Sequence, residues 1–299
     1  MDNYMFVNCC PICDSLNVKA RFVKDGIPYM VCINCHFSFS YSPRNANFQS
    51  TLEEYETGYL QYLNSDPSDA KNFGALRRWM ENHVCLEGSR ILDIGCGSGK
   101  WVRFLHGLGM DSSGIEPSET LYRHFLSGET FFRKAAIDDP QLSLTGPFDI
   151  ITAFDVLEHV QAPLVFLQHV TALLKDEGWL FVSLPDAGSR LSRLLGKHWH
   201  HFNRYHFSFF DASSLSRTAK SIGLVTRGIS WYGRHRSLGY LFRYGFEFIM
   251  RREAPAMIRS LDRIYFTLNL FDTMYCVFQK ISSTPEECPE IVPLNTGSE

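Results

Sequence analysis

The stretch RILDIGCGSGKWVRFLHGLGMDSSGIE, residues 90–116, decides the fold. An apolar run of strand length, residues 91–94, leads into the glycine loop 95–99 (GCGSG), where glycines let the backbone turn sharply and approach a ligand closely. A helical pattern of apolar residues follows, and Glu116 ends the next strand-like run. A strand, glycine loop, helix, strand and acid in this order are typical of a nucleotide site, with the acid on the ribose hydroxyls. The alternative is an ordinary turn in another α/β protein.

Strand-like and helix-like patterns alternate after this stretch. We predict further strands at residues 130–132, 148–154, 178–184, 224–231 and 272–280, and a helix from Pro163 to Leu174. Such alternation predicts a parallel, doubly wound α/β sheet. Because ligands of these sheets bind beyond the carboxyl ends of the strands, one edge should carry the glycine loop together with Glu116, Asp138, Asp155 and Pro185.

Residues 1–45 contain two C-x-x-C pairs, Cys10 with Cys13 and Cys32 with Cys35, separated by eighteen residues. Paired cysteines at this spacing predict a four-thiolate zinc site, with a hairpin over residues 18–31 between the pairs. So short a segment buries little core, and metal binding would supply its folding energy. We therefore predict a small zinc ribbon with a structural role, although free buried cysteines are the alternative.

Composition sets the broad class. The chain has 299 residues, of which 45% are hydrophobic, so it is long enough for one large domain and a small module. It has no apolar run long enough to cross a membrane and no signal-peptide pattern at its start. A cytoplasmic, reducing location is expected, in which the nine cysteines are thiols or metal ligands.

Charge is distributed unevenly along the chain. Residues 1–185 carry 14 basic and 22 acidic side chains, whereas residues 186–282 carry 15 basic and 6 acidic ones. The positive C-terminal half favours an anionic acceptor or an anionic surface near the site. Scattered, solvated arginines are the alternative.

The remaining segments complete the domain prediction. Residues 46–85 are predicted to form a helical lid or linker, in which Tyr55, Tyr59 and Tyr62 share one face and either pack in the core or cover the cofactor. Residues 86–281 form the main domain, with a helical insertion at about 234–270 that mixes seven arginines with aromatic residues. The insertion is predicted to cover the acceptor pocket, and membrane-surface contact and a solvated hairpin are both open. The tail 282–299 is predicted to be disordered.

Four segments carry a family resemblance. ILDIGCGSGKW, GIEPS, FDIITAFDVLEHV and LLKDEGWLFVSLPD resemble motifs I, post-I, II and III of the class I S-adenosylmethionine (SAM) methyltransferases. They are most similar to the type 11/23 branch, which includes the ubiquinone-pathway O-methyltransferases, and the zinc module is similar to that of sugar and tetronate C-methyltransferases. The resemblance covers residues 86–231 and implies a seven-stranded Rossmann-like sheet of order 3-2-1-4-5-7-6, with the last strand antiparallel.

The resemblance also implies a cofactor site. The carboxylate before the glycine loop and the loop amides would hold the methionine part of SAM, and Glu116 the ribose. The adenine would lie near residues 136–138, and the end of the fourth strand would form the floor. The implied cofactor residues are Asp93, Gly95, Cys96, Gly97, Gly99, Glu116, Pro117, Ile137, Asp138, Asp155, Val156 and, from the lid, Tyr59.

Two histidines are candidates for a general base. His206 matches the histidine of the family pattern after the fifth strand, although Tyr205 stands where the sugar enzymes have a glutamate. His159, in the LEHV segment, is the second candidate. A neutral imidazole accepts a proton near neutral pH, which a hydroxyl or carbon acceptor requires. A structural role is the alternative for each of them.

The sequence therefore predicts a SAM-dependent methyltransferase with bound zinc that modifies oxygen or carbon of a small anionic biosynthetic intermediate, such as a nucleotide-linked sugar. A ribosomal-RNA methyltransferase is one alternative. It is disfavoured because residues 1–45 carry only four basic side chains against three acidic ones, so no nucleic-acid partner is expected. The other is a catalytically inactive zinc-binding protein with a SAM fold. The oligomeric state stays open.

Overall fold

The computed structural model describes residues 9–40, 68–140, 142, 144, 146–250 and 256–282. The predicted tyrosine face with Tyr59, and the predicted tail, lie outside the described residues. The description begins with a hairpin of β1 (Val18–Lys24) and β2 (Ile27–Cys32), followed by β3 (Ser38–Ser40). Asp25 and Gly26 both have positive φ, 51° and 76°, which gives the two-residue turn the twist that antiparallel strands require.

The first half of the main domain alternates strands and helices. Helix α1 (Asp69–Glu81) precedes β4 (Arg90–Ile94), α2 (Lys100–His106) and β5 (Asp111–Glu116). A short helix α3 (Glu119–Leu121) continues as a π turn, Tyr122–Leu126, before β6 (Phe132–Lys134). Strand β7 (Phe148–Phe154), a 3₁₀ turn at Leu157–His159, α4 (Pro163–Leu173) and β8 (Leu174–Pro185) follow.

The second half carries the elements around the acceptor side. Helix α5 (Arg190–Leu195) and a 3₁₀ turn, Gly196–His198, precede β9 (Ser208–Phe209), α6 (Ala212–Ser221) and β10 (Leu224–Ser230). Strand β11 (Arg234–Ser237), α7 (Leu238–Met250), a 3₁₀ helix (Ala256–Arg263) and β12 (Tyr265–Leu268) form the insertion. Strand β13 (Thr273–Lys280) is the last element described.

Seven strands form one sheet in the order β10-β13-β8-β7-β4-β5-β6. Strands β4 to β8 pair in parallel, and β13 is antiparallel to both β8 and β10. Alternate residues face opposite sides: Ile91, Ile150 and Phe181 pack with α1 and α2, whereas the other face packs with α4 and α6. Burial on both faces explains why these strands are continuously apolar. The predicted Rossmann-like methyltransferase sheet is confirmed.

The N-terminal hairpin belongs to a second sheet that reaches the main domain. Its strand order is β1-β2-β3-β9, so β3 pairs with a strand that begins two residues after His206. The Ser40 hydroxyl donates to the His206 carbonyl at 2.7 Å, and the Lys24 ammonium donates to the Phe202 carbonyl at 2.6 Å. The cysteine-bearing module therefore supports the segment that carries the candidate histidine.

The structure differs from the sequence prediction at some element boundaries. The third strand lies at Phe132–Lys134 rather than at 130–132, because residues 130 and 131 complete the turn out of the preceding π turn. The insertion is not purely helical, because β11 and β12 pair antiparallel at its two ends. This pairing satisfies backbone groups where the insertion leaves the main domain. Within the described residues, no helix is long and apolar enough to cross a bilayer.

Candidate active site

The glycine loop has the backbone that only glycine adopts readily. Gly95, Gly97 and Gly99 have φ values of 67°, 56° and 71°. A Cβ atom on Gly95 would lie 2.7 Å from the Val156 side chain, and one on Gly99 would lie 2.5 Å from the Phe132 ring. Any larger residue would therefore move the loop away from β7 and β6, and change the surface that it offers to a ligand.

Glu116, at the end of β5, is buried with 5% of its surface exposed. Its Oε2 accepts from the Gly97 amide at 2.8 Å, and its Oε1 accepts from the Ser118 amide at 2.9 Å. Each carboxylate oxygen has a second lone pair, so ribose hydroxyls can still donate to this group. Glu116 thus also stabilises the glycine loop directly, which the sequence did not indicate.

Asp93 is the penultimate residue of β4, just before the glycine loop, and is also buried. The Thr152 hydroxyl donates to its Oδ1 at 2.6 Å. Burial, and then the nearby charge of Glu116, raise the pKa of Asp93 to about 7 against the effect of that hydrogen bond. A buried carboxyl group with a raised pKa is stabilised in its charged form by a cation, so this position suits a positively charged ligand group.

A cavity of about 460 Å³ opens at this edge of the sheet. Its walls are the glycine loop, one side of α1, the ends of β7 and β8, and the paired strands β11 and β12. Of the predicted cofactor residues, five line it: Asp93, Gly95, Cys96, Gly97 and Asp155. The described lining does not include Gly99, Glu116, Pro117, Ile137, Asp138, Val156 or either candidate base, His206 and His159.

An ion pair joins the insertion to the floor of the cavity. The NH2 group of Arg234 donates to both oxygens of Asp155, at 2.8 and 2.6 Å, and its Nε donates to the Tyr275 hydroxyl at 3.2 Å. Burial alone would raise the pKa of Asp155, but the charge and hydrogen bonds of Arg234 hold it below its ordinary value. Asp155 also has a positive φ of 55°, a conformation that these contacts stabilise.

Hydrogen bonds between a side chain and the backbone hold the opposite wall of the cavity. The Asn72 side chain on α1 accepts from the His235 amide at 2.7 Å and donates to the His235 carbonyl at 3.0 Å. Lys100, at the start of α2, pairs with Asp69 at 2.7 Å, and both residues line the cavity. Helix α1 is therefore fixed to strand β11 and to the side of the cavity that carries the glycine loop.

Trp101 lines the same cavity and has an unused donor. Its indole Nε1 is buried and has no hydrogen-bond partner among the described residues. Phe73, Phe104 and Phe154 surround the ring at centroid distances of 5.7, 5.8 and 6.1 Å. An unpaired buried N–H costs free energy, and a ligand acceptor in the cavity would remove that cost. A carboxylate group of a bound ligand would supply such an acceptor.

The two candidate bases lie together beneath the segment that β3 supports. The His159 and His206 rings are 4.8 Å apart, and His159 Nδ1 contacts the Tyr205 carbonyl at 2.9 Å. Since only a protonated Nδ1 can bond a carbonyl, Nε2 is the basic nitrogen of neutral His159. Burial lowers the pKa of His159 and, together with the charges of nearby histidines, lowers that of His206 well below its ordinary value. Both rings are neutral at neutral pH.

Glu158 adds a carboxyl group to these histidines. It is 3% exposed, its Oε2 has no described partner, and His206 Nδ1 is likewise buried and unpartnered. One ligand atom each of Glu158, His159 and His206 lie within 4.8 Å of one another, so the set is also able to hold a cation. Burial and the charge of Asp155 raise the pKa of Glu158 well above its ordinary value.

The four predicted zinc ligands converge. Cys10 Sγ lies 3.5 Å from Cys35 Sγ, and Cys13 Sγ lies 3.6 Å from Cys32 Sγ. All four sulfurs lie within 4.8 Å of one another. Tetrahedral Zn–S bonds of about 2.3 Å place sulfurs roughly 3.8 Å apart, so the residues present fit a zinc ion. The neighbouring Cys9 is not part of this group.

Sequence reasoning missed most of the cavity wall. Arg234 was one of seven arginines in the insertion, and no spacing distinguished it from the others. Asn72 and Trp101 lay in helical patterns that predict packing alone. These roles arise from elements that are distant in the chain and meet at the sheet edge.

Comparison with known proteins finds a matching family and similar named proteins. Residues 55–227 match a family described as a methyltransferase domain. The ubiquinone biosynthesis O-methyltransferase of Thiobacillus denitrificans is 27% identical over 170 residues, covering 51% of this chain and 72% of that protein. The protein of the same name from Xanthomonas campestris is 30% identical over 164 residues, covering 49% and 67%.

A solved structure shares the fold at low identity. It is the complex between the Haloferax volcanii Trm112 methyltransferase activator and a methyltransferase, with a TM-score of 0.50 and 12% identity. The match covers 72% of this chain and 91% of that one. At this identity the likeness concerns the fold alone.

Proposed function

This chain belongs to the methyltransferase-domain family and is a SAM-dependent methyltransferase, and we propose that it methylates oxygen or carbon of a small anionic acceptor bound in the cavity at the sheet edge. The proposal rests on one observation: the glycine loop and the arginine-bearing strand β11 line the same cavity. The first supplies a cofactor surface, and the second supplies positive charge for an acceptor.

The residues present fit SAM. Asp93 is placed for a cationic group, Trp101 Nε1 has no hydrogen-bond partner among the described residues and can donate to a carboxylate, and the glycine loop admits close approach. We propose that these residues, Glu116 and Pro117 hold the cofactor, with Ile137 and Asp138 on the adenine side as predicted. When bound, SAM supplies an electrophilic methyl group, so the chain needs to align an acceptor, exclude water and remove a proton. The role of Tyr59 stays a prediction.

The side of the cavity formed by strand β11 favours an anionic acceptor. Arg234, His235 and Arg236 all line the cavity. Among the described residues, the hydrogen bonds of Arg234 use its Nε and NH2 groups, so its NH1 group can donate to a ligand. Guanidinium groups bind carboxylate and phosphate oxygens in well-defined geometry. The relatives are named O-methyltransferases, which favours oxygen as the methylated atom.

We propose His206 as the general base, with His159 as the second candidate. Both are neutral in the folded protein, and a neutral imidazole is the form that accepts a proton. His206 Nδ1 lacks a described partner, so it is the available nitrogen of that ring. His206 is 9% exposed and lies outside the described lining of the cavity, so it must come within hydrogen-bond reach of an acceptor bound there before it can take the proton.

We also propose that residues 1–45 form a zinc module, followed by a linker at 46–85, the methyltransferase domain at 86–281 and the tail. The four converging thiols support zinc, and the pairing of β3 with β9 supports a structural role for the metal at the histidine segment. Metal analysis of untagged protein should find about one zinc held by these cysteines. Native-state alkylation of all four cysteines without metal release would contradict the assignment.

The test of the main function has two stages. Calorimetry should first show binding of SAM and of its demethylated product. Transfer of a labelled methyl group is then screened across carboxylated and phosphorylated hydroxy compounds, with their uncharged analogues as matched controls. We expect labelling of the anionic compounds only, and we expect Arg234→Gln to reduce it. Arg227→Gln is the control and should leave labelling unchanged, because Arg227 is exposed and bonds Gln279 on the sheet edge. Preference for the uncharged analogues would refute the anionic acceptor.

Membrane-surface contact through residues 234–270 stays a prediction. Phe242, Ile264 and Leu268 are more than 40% exposed and lie near arginines of the insertion, an arrangement that suits an anionic bilayer. Sedimentation with anionic but not neutral vesicles would support it.

A further inference from the structure

A buried carboxylate stands at the ligand edge of the sheet, outside the predicted cofactor set. Asp272 directly precedes β13, which runs antiparallel to its neighbours, so this strand begins where the parallel strands end. Thr273 pairs with Pro185 at the end of β8, and the Asp272 carbonyl accepts from the Asp186 amide at 2.8 Å. Topology thus places Asp272 at the edge that carries the cavity.

A tryptophan fixes this carboxylate. Asp272 is 4% exposed, and its Oδ2 accepts from Trp199 Nε1 at 3.0 Å. Trp199 is fully buried against Phe202 and its neighbours, so its indole cannot turn away. A carboxylate that is held by a second residue in this way is oriented as metal-bound carboxylates are.

Two consecutive histidines face the same oxygen. His200 Nε2 lies 3.6 Å from Asp272 Oδ2, and His201 Nε2 lies 3.8 Å from it. These distances are too long for hydrogen bonds. They are close to the roughly 3.3–3.5 Å that separates ligand atoms around an ion with bonds of about 2.0–2.1 Å. The three ligand atoms all lie within 4.8 Å of one another.

We propose that His200, His201 and Asp272 form a second metal site, separate from the four cysteines, which binds one divalent ion of the zinc class. Two imidazoles and one carboxylate suit zinc, iron or nickel rather than magnesium or calcium. The His200 side chain is 55% exposed, which gives the ion a route from solvent. Three protein ligands leave a coordination position open, as in catalytic rather than structural sites.

The location connects this site with the cavity. His201 is close enough to Asp155 and Arg234 on the cavity floor to interact with their charges, although none of the three proposed ligands belongs to the described lining of the cavity. An oxygen atom of an acceptor is a suitable ligand for the open position. That role rests on the methyl transfer proposed above, whereas binding of the ion does not, and the experiment measures binding without cofactor or acceptor.

The experiment uses the full chain without a polyhistidine tag. Equilibrium dialysis against Zn²⁺ should give two zinc ions per chain. Co²⁺ added to protein that already carries zinc at its cysteines should bind one equivalent with weak visible bands and no thiolate charge transfer. His200→Ala, His201→Ala and Asp272→Asn should each weaken this second equivalent more than about 100-fold, since loss of a mere second-layer partner costs 10–100-fold.

Two further variants sharpen the result. Trp199→Phe keeps an aromatic ring but loses the hydrogen bond to Asp272, and should weaken the second ion by about 10–100-fold. His198→Ala removes the neighbouring exposed histidine and should change nothing. Asp272→Asn keeps an acceptor for Trp199, and if it fails to fold, the histidine variants decide. Saturation at one zinc per chain, or a second equivalent that survives replacement of both histidines, would overturn the proposal.

Discussion

Replacement of Trp101 by phenylalanine separates cofactor binding from folding. The indole Nε1 is buried without a described partner, while the ring packs among three phenylalanines in the cavity wall. Phenylalanine keeps an aromatic ring in that packing and removes only the N–H donor and part of the ring. If the donor serves the cofactor carboxylate, its loss should be visible in binding and nearly invisible in the free protein.

The size of the effect follows from the type of hydrogen bond. A hydrogen bond to a charged group contributes about 1.5–3 kcal/mol. At 1.4 kcal/mol for each factor of ten, SAM should bind roughly 10- to 150-fold more weakly to Trp101→Phe. In the free protein, lost ring packing opposes removal of an unsatisfied buried donor, which itself costs about 1–3 kcal/mol. The net change in the free energy of unfolding should therefore be smaller than the loss of binding energy.

Titration calorimetry with SAM and thermal melting without it measure the two quantities. Trp179→Phe is the matched control, because Trp179 lies on β8 outside the described lining of the cavity. The control should bind SAM as the wild type does. Wild-type affinity in Trp101→Phe would refute the assignment of the indole to the cofactor. A melting temperature that falls together with affinity would instead show that the indole is needed for packing.

Three further predictions concern other groups of the site. Glu116→Gln keeps an oxygen acceptor for the Gly97 amide but loses the charge, and should cost about 1.5–3 kcal/mol of SAM affinity; unchanged calorimetric affinity would mean that the ribose lies elsewhere. His206→Asn and His206→Ala should each lower turnover by about 10²–10⁴-fold with SAM affinity retained, whereas an Asn variant at the wild-type rate would exclude His206 as the base. Burial lowers the pKa of His206 and His159, and lowers that of His201 to about 4. Below the ordinary histidine pKa near 6.5, the unfolded chain therefore binds more protons at these histidines than the folded protein does. Stability should therefore fall as pH drops below about 6.5, by up to about 1.4 kcal/mol per pH unit for each histidine. Asp93 and Glu158, whose raised pKa values act in the opposite direction, should partly offset this fall. Melting curves from pH 7.5 to 5 that stay flat in the wild type, or that His201→Asn does not flatten, would contradict this account.

The cofactor side of the protein was predictable because its signals are local. A glycine loop between a strand and a helix is set by residues adjacent in the chain, and the need for positive φ restricts which residues occur there. Glu116 could be assigned because the end of the second strand must lie beside the loop in any sheet of this topology. The parallel, doubly wound sheet followed from the alternation of strand-like and helix-like patterns, and its seven-strand order followed from the family resemblance.

The acceptor side was less predictable because its residues come from distant elements. Nothing in the sequence pairs Arg234 with Asp155, or places His235 against Asn72, since those contacts depend on how the insertion folds back over α1. The predicted helical insertion proved to contain a strand pair, which sets the position of these side chains.

By itself the sequence determined the class of the fold, the position of the glycine loop and the identity of the four clustered cysteines. Each depends on short-range spacing or on hydrophobic period, and these are properties of the chain alone. Only the tertiary structure decided that the cysteine module supports the His206 segment through β3 and β9, and that Asp272 faces two histidines. The reason is physical: closing long loops brings distant groups together only when the whole core has formed, and no local pattern records which side chains then meet.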